Sequence, residues 1–275
     1  MKENKIPEVV RAMLDEYVFN LRIYFGSKVF GVYLYNSIAL GAFDENKSDI
    51  DFITILNEKF TDREIQALRE MHRKLSKTFK FAKRMEGMYI TMDEVGKCDF
   101  ELEPYVYFAG GKLYSGHYDA NYVTWWTLSK CGIGVESPEI SKLSLETYFD
   151  NVIENMDYNL NCYWKSKLNS KLNFFSDKWV EFSVLTMCRI MYTIKYGEVT
   201  SKVNAAESIM PDLPEDFKTI VKEALRIREM SSSKSKYSSR FKRVKETKKF
   251  IKYVIRYFNE NYFMKVKYSE DIYEG

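Results

Sequence analysis

Apolar positions follow two rhythms along the chain, and the change between them divides it. From Pro7 to about Phe25, the residues Val9, Val10, Met13, Leu14, Tyr17 and Leu21 recur at helical spacing, with Pro7 suited to a first turn. KVFGVYLY (28–35), rich in β-branched and aromatic residues, predicts a strand. NSIALGAFDENKS (36–48) has loop and turn chemistry, and DIDFITIL (49–56) predicts a second strand ending at Asn57. Thr61 is placed to cap a polar-rich helix reaching about Phe79. MEGMYITM (85–92) reads as a third strand and FELEPYVYFAGGKLY (100–114) as a hairpin around Gly110-Gly111.

Beyond Pro138 the pattern is helical. SLETYFDNVIENMDYNLNCYW places Leu145, Phe149, Val152, Ile153, Met156 and Leu160 on one stripe, with Ser144 as the expected N-cap. DKWVEFSVLTMCRIMYTIKYG is expected to be capped by Asp177 and stopped by Gly197. SKVNAAESIM, the stretch from Leu213 to about Arg228, and KETKKFIKYVIRYFNENYF continue the helices. The expected fold is α/β (α+β): a mixed sheet with helices over residues 1–140, then a helical bundle over 141–275.

Composition narrows the function. With 45% hydrophobic and 29% charged residues the chain is globular, and a net charge of +3 is too even for a dedicated nucleic-acid binder. No apolar run approaches a membrane span, and MKENKIPEVV lacks a signal-peptide core, so a cytoplasmic location is expected. Cys98, Cys131, Cys162 and Cys188 show no C-x-x-C spacing and read as reduced. G-x-G-x-x-G, P-loop, G-x-S-x-G and H-E-x-x-H patterns are absent, and His72 and His117 alone do not make a multi-histidine zinc site. The chemistry falls to carboxylates, hydroxyls and cations.

Asp49 and Asp51 flank Ile50, and residues two apart on a strand share a face. Two adjacent carboxylates repel unless a cation sits between them, and Mg²⁺ that also grips a phosphate suits such a pair. An isolated D-x-D is more often the start of an exposed strand. Here Ser37 follows a strand and opens a loop containing Gly41, a hydroxyl and free N–H groups suited to cradling phosphate. Glu86 opens the third strand; it reads as a surface residue, as a third metal ligand or as a general base.

Arg189 lies in a helix that is apolar nearly all round, so its guanidinium needs a partner, either a structural carboxylate or a phosphate. Lys202 follows the candidate N-caps Thr200 and Ser201, where a cation opposes the helix dipole unless an anion binds. Residues 228–256 hold eleven Lys or Arg against Glu229 and Glu246. Interleaved Phe241, Val244, Phe250, Ile251, Val254 and Ile255 favour a solvated helix face over a nucleic-acid surface.

Strand–Y-N-S–loop–S-D-I-D-F, with a later strand opening on Glu, resembles the nucleotidyltransferase superfamily pattern G-S-loop-D-x-D with a third acidic strand residue. EGMYITMDEV, VLTMCRIMYTIKYGEVTSKVNAAESIM and LPEDFKTIVKEAL are similar to aminoglycoside nucleotidyltransferases that adenylylate spectinomycin and streptomycin. The resemblance, from about residue 28 to about 230, implies two Mg²⁺ ions on Asp49 and Asp51, with Glu86 as further ligand or base. It implies ATP held by Ser37, Asn36, Arg189 and Lys202, and a small-molecule antibiotic near Asp177, Trp179 and Glu181. That last tract lacks the aromatic and acidic pattern of streptomycin-modifying members, which puts spectinomycin first. Asn36 stands where the family has Gly; Asn is the next most tolerant of a left-handed turn. Two other readings are transfer to a different acceptor and a nucleotide-binding module without catalysis.

Overall fold

β1 (Val29–Leu34), β2 (Ile50–Leu56) and β3 (Met85–Thr91) form the middle of a six-stranded sheet. The structure is a computed structural model and describes residues 6–170, 172–230 and 233–263. β4 (Tyr105–Ala109) and β5 (Lys112–Gly116) add a hairpin, turned by Gly110 and Gly111 at φ +55° and +77°, the left-handed pair a tight two-residue turn needs. β6 (Ile133–Val135) completes the order β5-β4-β3-β2-β1-β6. Only β2 and β3 run parallel, because a helix returns the chain between them.

α1 (Glu8–Phe25) and α3 (Asp62–Thr78) cover one face, where Val10, Leu14, Leu68 and Leu75 join Val32, Leu34 and Phe52 in one core. Thr61 caps α3 in a reciprocal box with Glu64. A single turn, α2 (Asn36–Ala39), stands in the segment expected as loop. On the other face Tyr33, Ile53, Ile55, Met88 and Ile90 pack with Trp125 and Leu128 of α4 (Tyr122–Cys131), a helix the sequence pattern did not reveal.

The chain forms two compact units, Met1–Val152 and Ile153–Gly275, dividing within α5 (Phe149–Tyr158). α5 runs on through a π-helical stretch, Asn159–Trp164, into α6 (Lys165–Lys167). α7 (Asp177–Tyr196), α8 (Lys202–Ile209), α9 (Glu215–Arg228) and α10 (Arg240–Phe258) follow, with no strand among the described residues. Val180, Val184 and Met187 of α7 are buried with Ile220 and Val221 of α9 and Phe250, Ile251 and Val254 of α10.

Two expected caps differ. Ser144 is left-handed at φ +47° after the short 3-10 turn Ile140–Leu143, so it closes that turn, and the helix starts at Phe149. Ser176 holds the N-cap position of α7, and Asp177 is its first helical residue. Gly197 ends α7 at φ +69°, the left-handed C-cap its sequence position called for.

Candidate active site

Asp51 and Glu86 are each the second residue of their strand, and the parallel register sets them opposite one another. Their side chains share the sheet face that carries Ile53, Ile55 and Met88, on strands about 4.8 Å apart. Asp49 is exposed, one residue ahead of β2, and belongs to the same side as Asp51. Gly87, next to Glu86, makes the close approach possible: a Cβ there would lie 2.0 Å from the Phe52 carbonyl oxygen and 2.6 Å from its ring.

Crowding shows in the electrostatics. The Asp51 carboxyl is pushed up to about 7, first by burial, then by the charges of Asp119 and Asp49, with Glu86 adding to them. A hydrogen bond from the Asn36 side chain opposes that rise. Asp119 is the carboxylate that sequence reasoning missed. It lies in the turn between β5 and α4 and is brought in by Tyr35, whose hydroxyl donates to its Oδ2 at 3.0 Å. Thr124 Oγ1 and Asn121 Nδ2 also donate to it, at 3.2 and 2.8 Å. Burial still raises its carboxyl to about 6.

The turn after β1 is fixed to the head of β2. Tyr35 N–H donates to the Asp51 carbonyl at 3.2 Å, and Ser37 Oγ to the Asp49 carbonyl at 3.2 Å. Asn36 takes φ +54°, a conformation that glycine and asparagine adopt at least cost. Arg84, just before β3, donates to the carbonyls of Asp44, Glu45 and Ser48 and so pins the loop that leads into Asp49. Asn36, Ser37, Asp49, Asp51 and Glu86 thus gather at one end of the sheet.

Among the described residues no three His, Cys, Asp or Glu side chains stand as a ready metal cage. The donor set is all carboxylate oxygen, and burial with the like charges around Asp51 is a cost that a divalent cation relieves. Mg²⁺ fits such a site, since it binds through one or two carboxylates and completes its shell with water and substrate phosphate.

A second charged group lies in the helical unit. Arg189 of α7 is half-buried rather than fully buried. Glu181 of α7 is buried, and its Oε1 faces Lys202 Nζ at 3.5 Å and Arg228 Nη1 at 3.4 Å. Lys202 is the first residue of α8, behind the Ser201 cap. Its ammonium is held below the ordinary lysine range, mainly by burial and also by Arg228 and Arg189, while Glu181 acts the other way. Two cations, Lys202 and Arg228, therefore share one buried carboxylate, with the charge of Arg189 also felt at Lys202. Arg228 is a member that sequence reasoning did not single out.

Asp177 and Trp179 have other neighbours. Asp177 Oδ1 accepts from the buried Arg243 Nη2 of α10 at 2.6 Å, yet its side chain is 58% exposed. Trp179 is half-buried, with ring edges against Phe174 and Phe182. Along α10, Lys242, Lys245, Lys249, Lys252 and Arg256 are exposed while Phe250, Ile251 and Val254 are buried. Phe241, expected among the apolar positions, is exposed and rests edge-on against Phe175. Ser231 and Ser232, inside the basic stretch 228–256, lie outside the described residues.

Residues 165–255 match the aminoglycoside adenylyltransferase C-terminal domain. That match spans about a third of the chain and is a likeness of this stretch to that domain. The matched stretch includes Arg189, Lys202, Glu181 and Arg228. Among curated proteins none matches the sequence. Among solved structures the chain is similar to the spectinomycin adenyltransferase AAD(9) from Enterococcus faecialis, determined with ATP and spectinomycin. The likeness has a TM-score of 0.66 at 15% identity and covers 89% of this chain and 98% of that one. The chain therefore shares the overall fold of that structure.

Proposed function

We propose that the protein is a Mg²⁺-dependent nucleotidyltransferase that moves AMP from ATP to a hydroxyl of an aminoglycoside-type antibiotic, spectinomycin ahead of streptomycin. The observation that carries the reading is the pairing of Asp51 with Glu86 beside Asp49, where burial and like charge push Asp51 up to about 7. The adenylyltransferase C-terminal domain and the likeness to a spectinomycin enzyme solved with ATP support the substrate class.

Asp49 and Asp51 would hold Mg²⁺, which when bound neutralises charge on the phosphates. Ser37 and Asn36 bind the phosphate tail at the β1 turn, and Arg189 and Lys202 offset its charge. Glu86 takes the proton from the acceptor hydroxyl. The acceptor oxygen forms a bond to the α-phosphorus as the bond from that phosphorus to the α,β-bridging oxygen breaks, and pyrophosphate leaves with the bonding pair. Asp177, exposed on one side, Trp179 and Glu181 are assigned to the acceptor, a polycation that favours carboxylates and an aromatic face. The reaction is assigned to the cytoplasm, and no described helix is long and apolar enough to cross a membrane.

Incubation with Mg²⁺, ATP labelled at the α-phosphate and spectinomycin tests this. Label appearing on the drug, with its mass raised by one AMP unit, is expected. Label remaining on ATP with spectinomycin, streptomycin and other aminoglycosides would overturn the reading.

A further inference from the structure

Glu86 is not a lone carboxylate at the head of β3. The hydroxyl of Tyr118 donates to its Oε2 at 2.8 Å. An ionised carboxylate only accepts and a phenol has a proton to give, so the bond runs one way, from Tyr118 to Glu86.

Tyr118 is itself held from three directions. Its ring lies flat on Tyr107 of β4, with centroids 4.8 Å apart and planes 8° from parallel. Tyr107 stacks in turn on Tyr114, its cross-strand partner in β5, at 5.3 Å and 23°. Tyr118 N–H donates to the Tyr105 hydroxyl at 2.8 Å, and that hydroxyl donates to Asp99 at 2.6 Å. The next residue, Asp119, is tied to Tyr35 at the end of β1. The crossing segment between β5 and α4 is thus clamped to both sides of the sheet, with a fixed phenol aimed at one carboxylate.

Resting on the proposed function, in which Glu86 is the general base, we propose that Tyr118 is its positioning residue: the stacked phenol holds the Glu86 carboxylate in the rotamer that meets the acceptor hydroxyl. A glutamate has three side-chain torsions, and an unheld one spends much of its time in unproductive rotamers. A donor anchored by a stack confines one oxygen and so orients the other. Tyr118 touches neither nucleotide nor acceptor in this scheme, and its effect passes wholly through Glu86.

The test is steady-state AMP transfer from Mg²⁺-ATP to spectinomycin by the full-length protein, with four forms compared: wild type, Tyr118→Phe, Glu86→Asp and the double variant. Phe keeps the ring on Tyr107 and removes only the donor, so melting temperature is expected to stay near wild type. Tyr118→Phe is expected to lower kcat about tenfold, the scale of one lost hydrogen bond to a charged group, with both KM values within about twofold. Glu86→Asp withdraws the carboxylate by one methylene, beyond the hydroxyl. In that background Tyr118→Phe is expected to change kcat by less than about twofold.

A wild-type kcat in Tyr118→Phe, a loss confined to KM, or the same tenfold loss in both backgrounds would overturn the positioning role while leaving the reaction standing. A wild-type protein that transfers nothing to any aminoglycoside, or an unimpaired Glu86→Asp, would overturn the parent reading and the role of Tyr118 with it.

Discussion

Replacing Asp51 by Asn should stabilise the metal-free protein at pH 8. The ordinary carboxyl value is 3.8, and in the folded chain Asp51 reaches about 7. Between those values the folded state holds a proton that the unfolded state has released, so stability contributed by this group is fully present below about pH 4 and is lost as pH rises through about 7. At roughly 1.4 kcal/mol per unit, the ionised form in the folded, metal-free protein carries a cost of at most about 4 kcal/mol. Asp119, raised to about 6, adds a cost of the same sign.

Asn keeps the shape and an oxygen that can accept from Asn36, but carries no charge. Relaxation around the site offsets part of the gain, so about 2 kcal/mol is expected, or a rise of roughly 4–8 °C in melting temperature for a unit of this size. Thermal melts in EDTA from pH 5 to 8 read this directly. The gap between the two proteins should be smallest at pH 5, about a third of its full size, and largest at pH 8, with the variant higher. Adding Mg²⁺ or Mn²⁺ at pH 8 should raise wild type and leave Asp51→Asn unmoved. Parallel curves across the pH range, or a variant less stable than wild type at pH 8 without metal, would refute the crowded-carboxylate reasoning.

Three further outcomes follow from the geometry. Gly87→Ala puts a methyl group into the Phe52 carbonyl and ring and should cost about 3 kcal/mol or more in chemical denaturation, since backbone rather than a flexible tip must move. Asn36→Ala forces an unfavourable left-handed turn and should lose about 1 kcal/mol in the same assay, whereas Asn36→Gly should fall within about 0.5 kcal/mol of wild type. Arg189→Ala and Lys202→Ala should each weaken ATP binding about tenfold in calorimetry and leave adenosine binding unchanged; equal weakening of both ligands would remove these residues from the phosphates.

What the sequence disclosed tracks how local each feature is. β2, β3 and α3 were legible because apolar runs with turn residues at their ends, and the Thr61–Glu64 cap, are written in neighbouring residues. The fourth helix was hidden because YVTWWTLSKC is apolar round most of its surface and rich in residues that favour strands. β6, three residues long, is too short for any period to show. Asp49, Asp51 and Glu86 could be named as candidates, but the Asp51–Glu86 pairing depends on a parallel register set by a crossover helix. Asp119 and Tyr118 sit in a stretch that reads as an ordinary turn. Only the hydrogen bonds from Tyr35 and to Glu86, across 84 and 32 residues of chain, show where they belong. Arg228 stayed hidden for the same reason, because Glu181 meets it 47 residues away.

Pyrophosphate release tests the central claim most directly. Wild-type protein with Mg²⁺-ATP should release pyrophosphate only when an aminoglycoside-type antibiotic is present, spectinomycin above streptomycin, and Asp51→Asn should release none while remaining folded. Drug-independent release, or undiminished release by Asp51→Asn, would contradict the account.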